Sequence, residues 1–164
     1  MYNLLIKFGE TAWDSNPVEL ARSRVAIEYT TDEISERYKS LDSSAIEELK
    51  GFPTLFVTEN EDAPSRVVYI QEVNETKTGL EVWFEFDPAL PSIPPGAIEK
   101  MRIDLDLGRW ELSRTRWAIK DQDLFSILLE NGFIKSEHLE NSNYIKRQSQ
   151  QAYNLPPDPG AEFN

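Results

Sequence analysis

The sequence predicts an α+β fold: a small, strongly bent antiparallel sheet or partial barrel with short packing helices and a disordered C-terminal tail. Runs within residues 54–86 alternate apolar and polar residues with a period of two, which is typical of half-buried strands. Helix start and stop signals occur in residues 30–51 and again in residues 121–132. Beyond about residue 141 the composition becomes polar and rich in proline, which is typical of a segment that builds no core.

The chain opens with a predicted strand at residues 2–8, where apolar residues precede the turn residue Gly9. Asn16 and Pro17 are residue types that favour the N-cap and the first position of a helix. We therefore expect a short helix or turn after Asn16, followed by a strand near residues 24–29.

A helical pair is expected over residues 30–51. Thr31 is a favourable N-cap for the first helix, because acidic residues follow it in the first turn. Ser44 stands three residues before Glu47, which is the spacing of a capping box. A second helix is therefore expected to begin near Ser44 and to end at Gly51.

Consecutive strands are predicted at residues 54–58, 66–73 and 80–86. Three neighbouring strands of this length favour a meander. The prolines of residues 88–95 cannot donate to a strand ladder, so an extended connection is expected after the third strand.

Alternating apolar residues predict a further strand at residues 102–107, which Gly108 ends. Residues 110–119 are expected to continue as a strand or an irregular arm. Asp121 is the predicted N-cap of a helix, and Gly132 is its predicted C′ residue in a Schellman motif.

The composition shift divides the chain into a single α+β domain at residues 1–135 and a polar, proline-rich tail or linker at residues 136–164. With 29 acidic and 17 basic residues, the net charge is −12, which disfavours general nucleic-acid binding and docking on an anionic membrane. The absence of cysteine excludes disulfides, thiol catalysis and cysteine-ligated zinc. No run approaches the length of a membrane span and no signal-peptide core is present, so a cytoplasmic location is expected.

Residues 100–120, which we call the Arg/Trp segment, form a basic stretch in this acidic chain. Six basic and three acidic side chains give the segment a net charge of +3, and it holds two of the four tryptophans. Arginine pairs with anions and stacks on aromatic rings, so the segment predicts a recognition surface. The candidate ligand-binding residues are Arg109, Trp110, Arg114, Arg116 and Trp117. Under the alternative interpretation, the tryptophans close the core and the arginines pair with nearby carboxylates such as Asp121 and Asp123.

Signals for catalysis are weak. The single histidine, His138, lies among charged residues and lacks an evident nucleophile to serve. Asp104 and Asp106 would share one face of a strand, which leaves a carboxylate site for Mg²⁺ or Ca²⁺ open, but the polar face of a half-buried strand explains them more simply. The glycines are scattered singly, so no phosphate-binding loop is predicted. No catalytic residue, metal ligand or cofactor is assigned.

The run of residues 110–124, Trp-Glu-Leu-Ser-Arg-Thr-Arg-Trp-Ala-Ile-Lys-Asp-Gln-Asp-Leu, resembles a signature of small uncharacterised bacterial proteins of similar length. The resemblance extends over about residues 1–135 and implies a bacterial, soluble, single-domain protein without a known activity. Arg116 stands where that family often has a histidine, which weakens a catalytic role for this position.

These observations favour a non-enzymatic binding module that recognises a protein or a small anionic ligand. Membership of a larger bacterial assembly is compatible with this interpretation. One alternative is an acidic, immunity- or antitoxin-like inhibitor whose carboxylates cover the basic surface of a toxin or nuclease. Another is a hydrolase with a carboxylate-bound metal. The expected partner is another protein.

Overall fold

The protein is described by a computed structural model over residues 1–8, 16–59 and 63–144, with only the backbone of Glu59 included. The α+β class is confirmed. The strands are β1 Tyr2–Phe8, β2 Val18–Leu20, β3 Thr54–Glu59, β4 Arg66–Glu75, β5 Leu80–Phe86 and β6 Arg116–Lys120. The helices are α1 Asp32–Tyr38, α2 Ser43–Gly51, α3 Ala97–Lys100, α4 Leu124–Glu130 and α5 Ser136–Glu140, with 3₁₀ turns at Arg22–Arg24 and Glu111–Ser113.

The six strands form one sheet in the order β2-β5-β4-β3-β1-β6. The predicted meander is confirmed, because β3, β4 and β5 pair antiparallel in sequence order. β1 and β3 pair in parallel, so the sheet is mixed rather than purely antiparallel. The reason is the helical pair α1–α2, which returns the chain to the same end of the sheet before β3 begins. The sheet is open and only weakly curled, not a closed or strongly bent barrel.

Each face of the sheet carries its own apolar core. Leu4 and Ile6 of β1 belong to a core with α3 and α4, whereas Leu5 belongs to a second core with α1 and α2. β1 is therefore covered on both faces. Asn3 provides the polar link in this strand: its amide nitrogen donates to the Leu49 carbonyl at 2.9 Å, and its amide oxygen accepts from the Trp117 indole at 3.0 Å.

The region after Asn16 differs from the prediction. A strand, β2, comes first and the 3₁₀ turn follows it. Asn16 caps no helix; instead its side chain donates to the Phe84 carbonyl at 2.8 Å and accepts from the Phe84 amide at 3.2 Å. The Asn16 side chain thus makes the two hydrogen bonds to β5 that the backbone of a neighbouring strand would make. Local residue preferences do not predict this contact, because the two residues are distant in sequence.

Helix boundaries agree with the predictions to within a few residues. Asp42, rather than Ser44, caps α2 by accepting from the Ala45 amide. Asp123, rather than Asp121, caps α4. The Schellman end of α4 is confirmed by the positive φ of Gly132 and by two hydrogen bonds. The amide of residue 132 donates to the carbonyl of residue 129, and the amide of residue 133 donates to the carbonyl of residue 128.

Residues 102–107 are turns and not a strand. Leu105 and Leu107 are buried, but Ile103 is 83% exposed, so the alternation does not reflect a buried strand face. The amides of Leu105 and Leu107 bond locally, to the carbonyls of Met101 and Arg102. Residues 25–30, and not residues 102–107, lie along the edge of β6, where the Ala26 amide bonds the Trp117 carbonyl.

Residues 136–144 pack on the domain. The Tyr144 ring lies 4.8 Å from that of Phe125, and the Asn143 amide donates to the buried carboxylate of Asp87. The predicted disorder of the later tail falls on residues 145–164, which lie outside the described residues. Across the three described ranges, no helix combines the length and the apolarity that crossing a bilayer would require.

Candidate functional site

The last five residues of the Arg/Trp segment form β6, where two cations are buried. Lys120 and Arg116 are 4% and 0% exposed. The Lys120 ammonium donates to the carbonyls of Tyr29 at 2.7 Å and Asp106 at 2.8 Å. It also lies 2.9 and 3.1 Å from the two carboxylate oxygens of buried Glu111. Because these contacts use all the donors of an ammonium group, Lys120 has no capacity left for a ligand.

The two carbonyls that receive Lys120 belong to residues in an unusual backbone conformation. Tyr29 and Asp106 have φ angles of 53° and 61°, in the left-handed region that residues other than glycine rarely adopt. Such conformations persist only where the surrounding contacts enforce them. Here the Lys120–Glu111 pair joins both turns, so it fixes residues 25–30 and the loop after α3 on the edge of β6.

Tyr2 extends the same buried region. Its hydroxyl donates to the Leu105 carbonyl at 2.6 Å. Burial, followed by the negative charges of Glu111 and Asp106, raises the pKa of Tyr2 well above its usual value. The hydroxyl therefore stays protonated and structural at neutral pH.

Arg116 is held mainly by charge and by an aromatic ring. Its guanidinium carbon lies 4.2 Å from the centre of the Tyr29 ring, and one terminal nitrogen lies 3.8 Å from the Glu28 carboxylate. Its Nε donates to the Arg114 carbonyl at 3.2 Å, while neither terminal nitrogen has a hydrogen-bond partner among the described residues. Arg116 and Trp117 offer no exposed surface to a ligand. The Trp117 indole bonds Asn3, and the ion-pair partner of Arg116 is Glu28 rather than Asp121 or Asp123, which the structural alternative named.

The residues that directly precede β6 include exposed side chains. We call residues 109–115 the ridge. Trp110 is 65% exposed, and the Arg109 guanidinium stacks 4.9 Å from the centre of its ring. The Arg114 side chain is 55% exposed. The buried side chain of Glu111 holds the ridge on the domain. Its carboxylate accepts from the Gly108 amide at 2.8 Å and also binds Lys120.

A cavity lies on each side of the ridge, and Ser113 borders both. The first, which we call the indole cavity, has a volume of about 480 Å³. It is lined by Val57, Thr58, Ala63, Ser65, Gly96, Ile98, Glu99, Arg109, Trp110, Leu112 and Ser113. The second, the basic cavity, also measures about 480 Å³. It is lined by Lys7, Glu19, Ala21, Arg24, Ser113, Arg114 and Thr115.

The basic cavity has a surplus of positive charge. Three cationic side chains and the single carboxylate of Glu19 border it. Behind the cavity, Glu28 is shared by three guanidinium groups: Arg24 at 3.2 Å, Arg114 at 3.6 Å and Arg116 at 3.8 Å. The two carboxylates, Glu19 and Glu28, do not neutralise the four cations Lys7, Arg24, Arg114 and Arg116, so the local charge balance is positive and favours an anion.

The structure therefore divides the five sequence-predicted residues. Arg109 and Trp110 border the indole cavity, Arg114 borders the basic cavity, and the remaining two lie in the interior. Sequence reasoning missed Lys7, Arg24 and Glu28. No local pattern marks them, because they reach Arg114 through the positions of β1 and of the segment after β2.

A metal site receives no support from the described residues. Nowhere in residues 1–8, 16–59 and 63–144 do three or more histidine, cysteine, aspartate or glutamate side chains gather closely enough to hold an ion. Asp104 and Asp106 lie in turns rather than on one strand face, and the Asp106 carbonyl is bound to Lys120.

Comparison with known proteins gives no match to a family model, to a curated protein or to a solved structure. Arguments about function therefore depend on the ridge and its two cavities.

Proposed function

We propose that this protein is a non-enzymatic interaction module that binds an acidic segment of another protein in the basic cavity. The observation that carries the proposal is the convergence of Lys7, Arg24 and Arg114 on one cavity in a chain of net charge −12. Arginine side chains present planar donors that match carboxylates, so glutamate and aspartate side chains suit this site.

The positive charge of Arg114 is also accessible to a ligand. Arg114 is more than half exposed, and within the described residues its single ion pair, with Glu28, is long at 3.6 Å and shared with two other arginines. An incoming carboxylate can therefore bind Arg114 without breaking a tight contact. Exposed ion pairs of this kind contribute about 0–1 kcal/mol each, so several must act together for stable binding.

The experiment is a titration of the protein into a fluorescein-labelled peptide, Glu-Glu-Ala-Glu-Glu, with anisotropy as the readout. We expect binding at low salt that weakens as NaCl is added, because salt screens exposed charges. Arg114→Ala is expected to lower the affinity by at least about threefold, since it removes a cation from the cavity.

Arg37→Ala is the matched control, because Arg37 is 59% exposed against 55% for Arg114 and likewise pairs with a glutamate. Equal losses in the two variants would show attraction to any surface arginine and would overturn the proposal. A Lys-Lys-Ala-Lys-Lys peptide tests the inhibitor alternative, since tighter binding of this peptide would favour a basic partner instead.

A further inference from the structure

The two cavities meet at the ridge, and their linings differ in chemistry. Ser113 borders both, so the two cavities adjoin and one bound chain can enter both. The basic cavity carries surplus charge, whereas the indole cavity has one cation, Arg109, and one carboxylate, Glu99. The remaining walls of the indole cavity are largely apolar.

The apolar walls of the indole cavity come from β3, α3 and the ridge, through Val57, Ile98, Trp110 and Leu112. Its volume of about 480 Å³ falls within the usual range of ligand pockets, about 300–1,000 Å³. Trp110 borders this cavity while 65% of its surface remains in water. Tryptophan and arginine are the residue types that most often dominate binding energy at protein interfaces.

The chemistry of these walls identifies the kind of side chain that fits. An indole offers a flat apolar surface, and aromatic rings gain energy beyond burial when they pack against it. The Arg109 guanidinium, already stacked on Trp110, adds a cation that favours an aromatic neighbour. Because Arg109 and Glu99 carry opposite charges, the lining of the indole cavity has no net charge and does not favour a charged occupant.

We infer that the partner segment is bipartite: an aromatic side chain enters the indole cavity while adjacent acidic side chains bind the basic cavity. This inference rests on the proposed function, which supplies the acidic part. The two parts contribute differently, because exposed charges mainly set specificity and association rate, whereas burial of an aromatic anchor supplies most of the affinity.

The test uses three labelled peptides: Glu-Glu-Phe-Glu-Glu, Glu-Glu-Ala-Glu-Glu and Gln-Gln-Phe-Gln-Gln. The acidic residues flank the aromatic position on both sides, so the direction in which the segment binds does not matter. For the wild-type protein we expect the first peptide to bind at least about fivefold more tightly than each of the other two, which corresponds to about 1 kcal/mol.

Trp110→Ala is expected to reduce the preference for Phe over Ala to nearly one, while the binding of the acidic peptides remains salt-dependent. Arg114→Ala is expected to weaken both acidic peptides and to preserve the preference for Phe. Trp83→Ala is the control, because Trp83 is an exposed tryptophan on β5 that does not border either cavity. Thermal melts of all variants test whether each one is folded.

The failures of the two proposals are distinguishable. An unchanged preference for Phe in Trp110→Ala, or an equal loss in Trp83→Ala, overturns the bipartite inference and leaves the proposed function standing if Arg114→Ala still weakens binding. Conversely, if the glutamine peptide binds as tightly as its acidic counterpart, the proposed function fails, even if Trp110→Ala removes the binding of aromatic peptides.

Discussion

β6 and the ridge adjoin each other in the chain and are both rich in arginine and tryptophan, but their side chains have different surroundings. In β6, Trp117 is 0% exposed and Lys120 is enclosed by carbonyls and a carboxylate. In the ridge, Trp110 and Arg114 face water and border cavities. The difference arises because residues 25–30 and the loop after α3 cover β6 but leave the ridge open.

The comparison shows that residue type alone does not assign a role to a cation. A buried cation must have its charge and donors satisfied within the protein, so its removal damages the fold. An exposed cation with a weak, shared partner costs little to the fold and remains available to a ligand. Substitutions in the two regions should therefore separate stability from binding.

The largest effect is expected for Lys120→Met. This change leaves the Glu111 carboxylate buried without a cation and the carbonyls of Tyr29 and Asp106 without their donor. Breaking one side of a buried ion pair costs about 3–5 kcal/mol, which urea denaturation can measure as a lower free energy of unfolding. The exposed Lys100→Met is the control, expected to change that free energy by less than about 0.5 kcal/mol. Equal losses would contradict the distinction between buried and exposed cations.

Glu28→Gln is expected to have opposite effects on stability and binding, because Glu28 touches both regions. Its carboxylate is 30% exposed and is the ion-pair partner of buried Arg116. We expect the free energy of unfolding to fall by roughly 1–3 kcal/mol, since a hydrogen-bonding amide replaces a charge. We also expect tighter binding of the acidic peptide, because Arg24 and Arg114 lose a competing carboxylate. Weaker binding in a folded variant would contradict this role.

Tyr2→Phe tests the buried region by its response to pH. The pKa of Tyr2 is raised from its model-compound value of 10.0 in the folded protein, so above about pH 10 the unfolded chain holds fewer protons than the folded chain. Wild-type stability should therefore fall as the pH rises above about 10, and Tyr2→Phe should reduce that slope. At neutral pH the variant should lose about 1 kcal/mol with the bond to Leu105. Urea midpoints at about pH 8 and pH 10.5 provide the measurement, and identical slopes would contradict it.

The smallest change in stability is expected for Arg114→Ala. Its ion pair with Glu28 is exposed and long, so the free energy of unfolding should change by less than about 0.5 kcal/mol. A loss as large as that of Lys120→Met would show that the ridge is structural and would remove the distinction between the two regions.

Much of the fold was predictable because it depends on local signals. Strands β1, β3, β4 and β5 coincide with apolar runs that turn residues bound, and Gly132 ends α4 as its residue type suggests. The predictions fail where contacts between residues distant in sequence determine the local structure. Asn16 joins the edge of β5, and residues 102–107 have strand-like alternation but form local turn hydrogen bonds instead of pairing with a strand.

The candidate site was only partly predictable for the same reason. The ridge residues Arg109, Trp110 and Arg114 stand out in the sequence as a basic, aromatic cluster. Arg116 belongs to the same cluster, but its burial depends on Tyr29, which lies far away in the chain. Lys7 and Arg24 complete the basic cavity from β1 and from the turn after β2, and neither has a distinctive neighbourhood in the sequence.

The position of β1 in the sheet has a consequence for how the chain acquires its structure. β1 is synthesised before its strand partner β6, and the bond between Asn3 and Trp117 joins residues separated by 114 positions. β1 therefore keeps one edge unpaired until β6 has been synthesised. Such high contact order slows folding and prolongs the exposure of an apolar strand to aggregation.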